Sequence, residues 1–348
     1  VTVTLGYPKV GLFTFPGAAH VGRLVTMDIG IPPDLAEDIA TELLTDDWVR
    51  ARLPRRPLDA HKGTFGRVLV VAGSINYIGA AALASSAAAR AGGGLVTLAA
   101  ARSLVPIIAS RAAEVTFLPL PEADSGVIDA RASQEVLARL ADYEVLLMGC
   151  GLGQHPSTVQ FVTRTLEALP GDLAKGVVLD ADALNALART PRWWTRVKPK
   201  AVLTPHAGEM ARLSGRTLTD VQASRFQVAR DAAAQWKKTV VLKGAHTVIA
   251  DPQGVTLVSP FANPALASAG TGDVLTGAIA GMLAQGLGPL EAAACGVYVH
   301  ALAGEIVRAE LGDAGGLAGD LLPALPRAIK RLKEGPAPRR RREWPLPR

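Results

Sequence analysis

Short apolar runs recur along most of this 348-residue chain, each closed by a small or polar turn and followed by a stretch of helical length. Arg67–Gly73 reads as a buried strand ending in glycine, and Leu95–Ala99, Val115–Leu118, Glu144–Met148, Gly176–Asp180, Ala201–Thr204 and Thr239–Lys243 repeat the pattern. Between them the residue pattern predicts helices over Ala80–Ala91, Ser103–Ala112, Ala132–Ala141, Thr158–Ala168 and Ala183–Ala188, then two more through Trp236. Thr247–Ala250 and Val255–Val258 face each other across Asp251-Pro252-Gln253-Gly254, a hairpin signal. Three further helices follow residue 270. Strands this continuously apolar need cover on both faces, so the expected fold is α/β: a doubly wound, mostly parallel sheet with helices on both sides. Hydrophobic residues make up 49% of the chain, enough for a large core, and aromatics only 5%, which suits helices packed closely through small residues.

In an open α/β sheet, ligands bind outside the carboxyl ends of the strands. The polar loops gather there: Gly73–Ala80, Gly149–Gly153, Asp180–Asn185, Thr204–Glu209 and Lys243–Thr247 each follow a strand. The late stretch Asn263–Leu275 is the strongest candidate for chemistry. Gly270 and Gly272 let the backbone turn sharply, and an apolar helix follows from Asp273. A helix start offers unpaired N–H groups and a positive dipole end, which suit a phosphate. Asp273 at that start is read either as a helix cap or as a base that takes a proton from an attacking hydroxyl. No G-x-x-x-x-G-K-[ST] sequence occurs, and no G-x-G-x-x-G follows the first core strand. The phosphate cradle is therefore assigned to Gly270-Thr271-Gly272-Asp273.

That Gly-Thr-Gly-Asp resembles the ribokinase-like superfamily. His61–Val68, Gly79-Ala80, Leu179–Asn185, Leu203–Met210, Val241–Gly244 and Ala269–Leu275 together resemble the ADP/ATP-dependent NAD(P)H-hydrate dehydratases, over about residues 58 to 332. The resemblance implies a lyase of nicotinamide nucleotide repair, which removes water from the S form of NADHX or NADPHX by phosphorylating the C6 hydroxyl and eliminating phosphate. It implies ADP or ATP as phosphoryl donor, with Mg²⁺. It implies Asp273 as the base and Gly270, Thr271 and Gly272 as the anion hole. Lys243, Gly244, Ala245, His246, Thr247 and Gly272 would line the adenine nucleotide. Ala80, Gly153, His206 and Asp273 would line the hydrate, and Asp180, Asn185 and Glu209 would organise water or Mg²⁺. No motif points to a tightly held metal. The alternatives are a ribokinase-like kinase of a vitamin precursor such as hydroxymethylpyrimidine or hydroxyethylthiazole, and a non-catalytic nucleotide-binding protein.

Residues 1–35 read as two strands, Val1–Leu5 and Arg23–Ile29, separated by a Gly- and Pro-rich stretch; two strands alone cannot bury a core. They resemble the end of an NAD(P)HX epimerase domain, which would link the chain functionally to an epimerase. A helix and linker are expected over 36–57, the dehydratase-like domain over 58–332, and a basic disordered tail over 333–348. The net charge of +6 lies largely in terminal arginines, so no nucleic-acid partner is inferred. No apolar run is long and charge-free enough to be expected to span a bilayer, and two distant cysteines fit a reduced, cytoplasmic protein. The resemblance implies a homo-oligomer. Donor preference, preference between the two hydrates and subunit number are not encoded in any motif.

Overall fold

The computed structural model describes residues 1–171 and 173–335. Fourteen strands occur among them: β1 (Thr2–Leu5), β2 (Leu24–Met27), β3 (Thr41–Leu43), β4 (Arg67–Val71), β5 (Leu95–Ala101), β6 (Thr116–Leu120), β7 (Glu122–Asp124), β8 (Val127–Ile128), β9 (Val145–Met148), β10 (Gly176–Leu179), β11 (Ala201–Leu203), β12 (Thr239–Leu242), β13 (Val248–Ala250) and β14 (Thr256–Val258). Ten make one sheet in the order β3-β14-β13-β12-β11-β10-β9-β4-β5-β6. All its pairings are parallel except β12 with β13 and β13 with β14, the hairpin read from the sequence. Every residue of β9, β10, β11 and β12 is buried, as expected of strands covered on both faces.

The chain enters the middle of this sheet at β4 and steps outward through β5 and β6. It then returns to β9, on the other side of β4, and steps away through β10, β11 and β12. The order therefore reverses between β4 and β9, which opens a crevice at their carboxyl ends. Helix Thr271–Ala284 lies over this point against helix Ile78–Arg90. The two backbones meet closely, because a side chain at Gly277 or Gly281 would collide with the carbonyl oxygens of Ala84 or Ala88.

Three elements escape the sequence pattern. The edge strand β3 has three residues with a glutamate in the middle, and it pairs in parallel with β14. The β7–β8 hairpin is too short and too charged to carry a periodic signal. Between residues 205 and 236 three helices form where two were expected: Ala207–Ser214, Leu218–Ala223 and Arg225–Trp236. Gly215 in the left-handed region ends the first, and Thr217 caps the second by accepting from the N–H of Asp220. The helix expected over Ser103–Ala112 shrinks to a 3-10 turn followed by Val105–Ala109.

The membrane expectation needs one correction. Helix Pro289–Leu311 is long and apolar enough to cross a bilayer by length and composition, yet 78% of its most apolar window is buried inside the protein. It is a core helix, packed against Thr271–Ala284 and Ala318–Glu334. β1 and β2 pair with each other in parallel and with no other strand among the described residues. Val3, Leu5 and Met27 on this pair stay about half exposed. The predicted tail lies largely outside the described residues.

Candidate active site

Helix Thr271–Ala284 begins with a residue no side chain could replace without cost. Gly270 is its N-cap, at φ +88°, and a Cβ there would lie 2.7 Å from Leu83 Cδ1. No side chain caps this helix, and Asp273 is its third residue rather than its cap. The amides of Gly272 and Asp273 have no backbone acceptor among the described residues. They leave two N–H donors open, as is usual at a helix start and suited to an anion. Leu83 sits one turn along helix Ile78–Arg90 from Ala80, so the turn lies beside the loops that follow β4 and β9. Those loops lock together: Ser74 Oγ donates to Gly151 O at 2.8 Å, and the Gly151 backbone packs on Tyr77 and Ala80.

Five titratable groups crowd behind the turn. Cys150 Sγ and carboxylate oxygens of Asp180 and Asp273 lie within 4.8 Å of one another. Lys243 Nζ is 2.6 Å from Asp180 Oδ1 and 3.9 Å from Glu209 Oε2. Asp180 Oδ2 accepts from Thr276 Oγ1 at 2.7 Å. Burial, then the charge of Asp180, pushes the Asp273 carboxyl up to about 6, with Cys150 and Lys243 pulling the other way. Burial also raises the Cys150 thiol well above its ordinary value, so it faces Asp273 as a neutral donor. Burial alone would lower Lys243, but Asp180 and Glu209 outweigh it and hold the ammonium above its usual range. Glu209 is pushed up to about 7, by burial first and then against the attraction of Lys243.

On one side of the turn lies a cleft of about 460 Å³, lined by Lys243, Gly244, Ala245, Thr247, Thr271 and Gly272 among others. Lys243 reaches so close to Gly272 that a Cβ there would be 3.6 Å from Nζ. The apolar far wall includes Leu266, Val297 and Ala301. His300 closes the back: its Nε2 is 2.9 Å from Thr271 O, and burial lowers its pKa to about 4, so the neutral ring donates to that carbonyl.

The sequence-predicted residues divide accordingly. Asp273, Gly272, Lys243, Asp180 and Glu209 come together. Lys243 is not the exposed strand-end lysine that its position suggests, because its side chain is only 17% exposed in an ion pair. His206 caps helix Ala207–Ser214, and its Nε2 lies 3.4 Å from Glu209 Oε1. Burial, then Lys243, lowers its pKa. Gly153 donates its N–H to Asp182 Oδ2 at 2.7 Å. His246 does not line the cleft; its ring packs against Phe13 and Phe15, with Nδ1 near Ser259 O. Asn185 turns aside to Arg212 and Asp182. Sequence reading passed over Thr276, Cys150 and His300. Thr276 alone had a signal, a polar residue one turn after Asp273 in an apolar helix.

Asp180 Oδ1 pairs with Lys243 and Oδ2 accepts from Thr276, and Glu209 Oε2 accepts from the His206 N–H at 2.8 Å, so these carboxylates are engaged within the protein; a neutral thiol is a poor ligand for a hard cation.

Residues 68–327 match the family described as NAD(P)H-hydrate dehydratase. The bifunctional NAD(P)H-hydrate repair enzyme Nnr of Moorella thermoacetica is 46% identical over 335 residues, covering 96% of this chain and 62% of that protein. The chain thus spans under two thirds of the length of such relatives. The ADP-dependent (S)-NAD(P)H-hydrate dehydratase of Bacillus subtilis is 36% identical, covering 83% of this chain and 98% of its own length. A crystal structure of the ADP/ATP-dependent Bacillus subtilis dehydratase, co-crystallised with ATP and Mg²⁺, superposes with a TM-score of 0.69 and covers 83% of this chain and 97% of that one.

Proposed function

The chain belongs to the NAD(P)H-hydrate dehydratase family, and from that premise we propose that it dehydrates the S form of NADHX or NADPHX at the expense of ADP or ATP. The observation that carries this reading is Asp273, a base tuned to about 6, on the same helix turn as two free amides and beside a cleft floored by Lys243. No observation favours a vitamin-precursor kinase.

The nucleotide is assigned to this cleft, with its phosphates at Lys243 and the helix turn and its base toward the apolar lining. When bound, it supplies the phosphoryl group that turns the C6 hydroxyl into a leaving group, which the ring-nitrogen lone pair then expels. Asp273 takes the hydroxyl proton as oxygen attacks phosphorus. Of the expected anion hole Gly270, Thr271 and Gly272, the Thr271 N–H donates to Ser268 O, so the amides of Gly272 and Asp273 with the Lys243 ammonium hold the charge that builds on the phosphoryl oxygens. Cys150 donates to Asp273 and helps keep it ionised. Ala80, Gly153 and His206 form the hydrate side. Mg²⁺ is assigned only as the counter-ion of the nucleotide phosphates.

Residues 1–35 are proposed as the end of an epimerase-like domain, and a cytoplasmic location accords with Cys150 and Cys295 as buried free thiols. A homo-oligomer is proposed from the family resemblance. The test is direct: with ADP or ATP and Mg²⁺, pure S hydrate should regain the nicotinamide absorbance of NAD(P)H. The R hydrate should do so only when an epimerase is added. Failure with the S hydrate under both nucleotides removes the proposal.

The tuned base also sets a pH limb. Asp273 must be ionised to act, so kcat/KM should fall about tenfold per pH unit below about 6. Glu209→Gln should keep that limb, since Glu209 touches the lysine rather than the reacting oxygen. A limb that moves with Glu209 and not with Asp273 would reassign the base.

A further inference from the structure

The cleft has one lining residue that the matched family region does not supply: Phe15, 50 residues or more upstream of the match that begins at residue 68. As a residue it is 55% exposed, and it lines the same cleft as Lys243. It is held there by contacts within the protein. The His246 ring lies 5.2 Å from Phe13, edge-on, and 6.4 Å from Phe15. His246 itself adopts a left-handed backbone, at φ +52°, which a non-glycine residue takes only where its surroundings impose it. Its N–H donates to Phe261 O at 2.9 Å, so the post between loop Lys243–Thr247 and the N-terminal segment is fixed at both ends.

A second observation comes from the wall of the same cleft. Asn263 lines it, and while its Oδ1 accepts from the N–H of Ala265, its Nδ2 is buried with no hydrogen-bond partner. An orphaned buried donor in a native fold needs an acceptor, and a ligand in the cleft can bring one. Phosphates are served at the Lys243 end. A donor and an exposed aromatic face in the remaining wall suit a planar heteroaromatic ring with lone pairs on its edge.

We infer that the N-terminal segment completes the nucleotide subsite, with Phe15 stacking on the purine and Asn263 Nδ2 donating to a ring nitrogen. This rests on the nucleotide reading of the cleft and adds to it a residue from outside the family domain. His246 acts as a positioning residue for Phe15 and does not touch the nucleotide. The N-terminal segment then does more than end a neighbouring domain, because its position governs how tightly the dehydratase holds its phosphoryl donor.

Titration calorimetry with ADP on the full chain tests it, in the parent, Phe15→Ala and Phe15→Trp. Phe15 is half exposed, so neither variant should affect folding, and unchanged melting temperatures would check this. Stacking on an aromatic side chain predicts that Phe15→Ala weakens ADP roughly tenfold. Phe15→Trp should restore the affinity, and turnover should show a raised KM for the nucleotide with kcat unchanged. Parent-like ADP affinity in Phe15→Ala, or a loss that Trp does not restore, overturns the inference. A parent chain that binds no ADP at millimolar concentration instead overturns the nucleotide reading itself, and the two failures cannot be confused.

Discussion

Asp273→Asn is expected to fold, to bind ADP nearly as the parent does, and to lose turnover by roughly a hundredfold or more. The substitution keeps the size of the side chain and removes only its ability to accept the hydroxyl proton. A helix-capping role for Asp273 predicts something else: capping contributes on the order of 1 kcal/mol, and asparagine caps well, so both stability and rate would survive. Gly270 rather than Asp273 is the N-cap, which already separates the two readings. Stability adds an independent check. The carboxyl titrates near 6 in the folded protein against a reference of 3.8. Between those values the folded state keeps the proton while the unfolded chain has lost it. Its contribution to stability is therefore largest below pH 4 and declines as pH rises to 6. Above that, holding the ion costs up to about 3 kcal/mol. Asp273→Asn removes this cost, so it should melt higher than the parent at pH 7 and match it near pH 4. Denaturant unfolding at the two pH values measures this. A variant that keeps parent-like turnover of the S hydrate would show that the base lies elsewhere.

The sheet was legible because its strands are buried on both faces, and that burial writes itself as unbroken apolar runs such as Val68–Val71 and Val145–Met148. β3 was not, because an edge strand of three residues borrows its order from β14. The site was legible in its parts. Asp273 follows two glycines, and Asp180 and Lys243 each end an apolar run. Their pairing was not legible: 63 residues separate the two, and a lysine at a strand end is as readily solvated as buried. Fold topology supplies the missing information, since β10 and β12 flank β11 and bring both ends to one place. His246 shows the converse. Its neighbours in Lys243–Thr247 line the cleft, but the left-handed backbone swings its ring behind them toward Phe13 and Phe15. No local pattern distinguishes that residue from the four around it.

Lys243→Ala should be the most damaging of the substitutions to the fold as well as to nucleotide affinity. A solvated lysine at the end of β12 would be removable with little loss of fold. In the structure its partner Asp180 is 2% exposed, so its removal leaves a buried carboxylate with only the Thr276 hydroxyl. Breaking a buried pair from one side typically costs about 3–5 kcal/mol, which exceeds what a surface ion pair contributes several-fold. The two roles of Lys243 can be separated by adding Asp180→Asn. Asparagine at 180 needs no counter-charge and can still accept from Thr276, so the double variant should recover much of the lost stability in denaturant unfolding. It should not recover ADP affinity, because the ammonium that faces the phosphates beside Gly272 is still missing. Recovery of both would mean that Lys243 serves only to neutralise Asp180, and that the helix turn alone holds the phosphates. Recovery of neither would place the damage in the cleft wall, where the lysine stem packs, rather than in either charge.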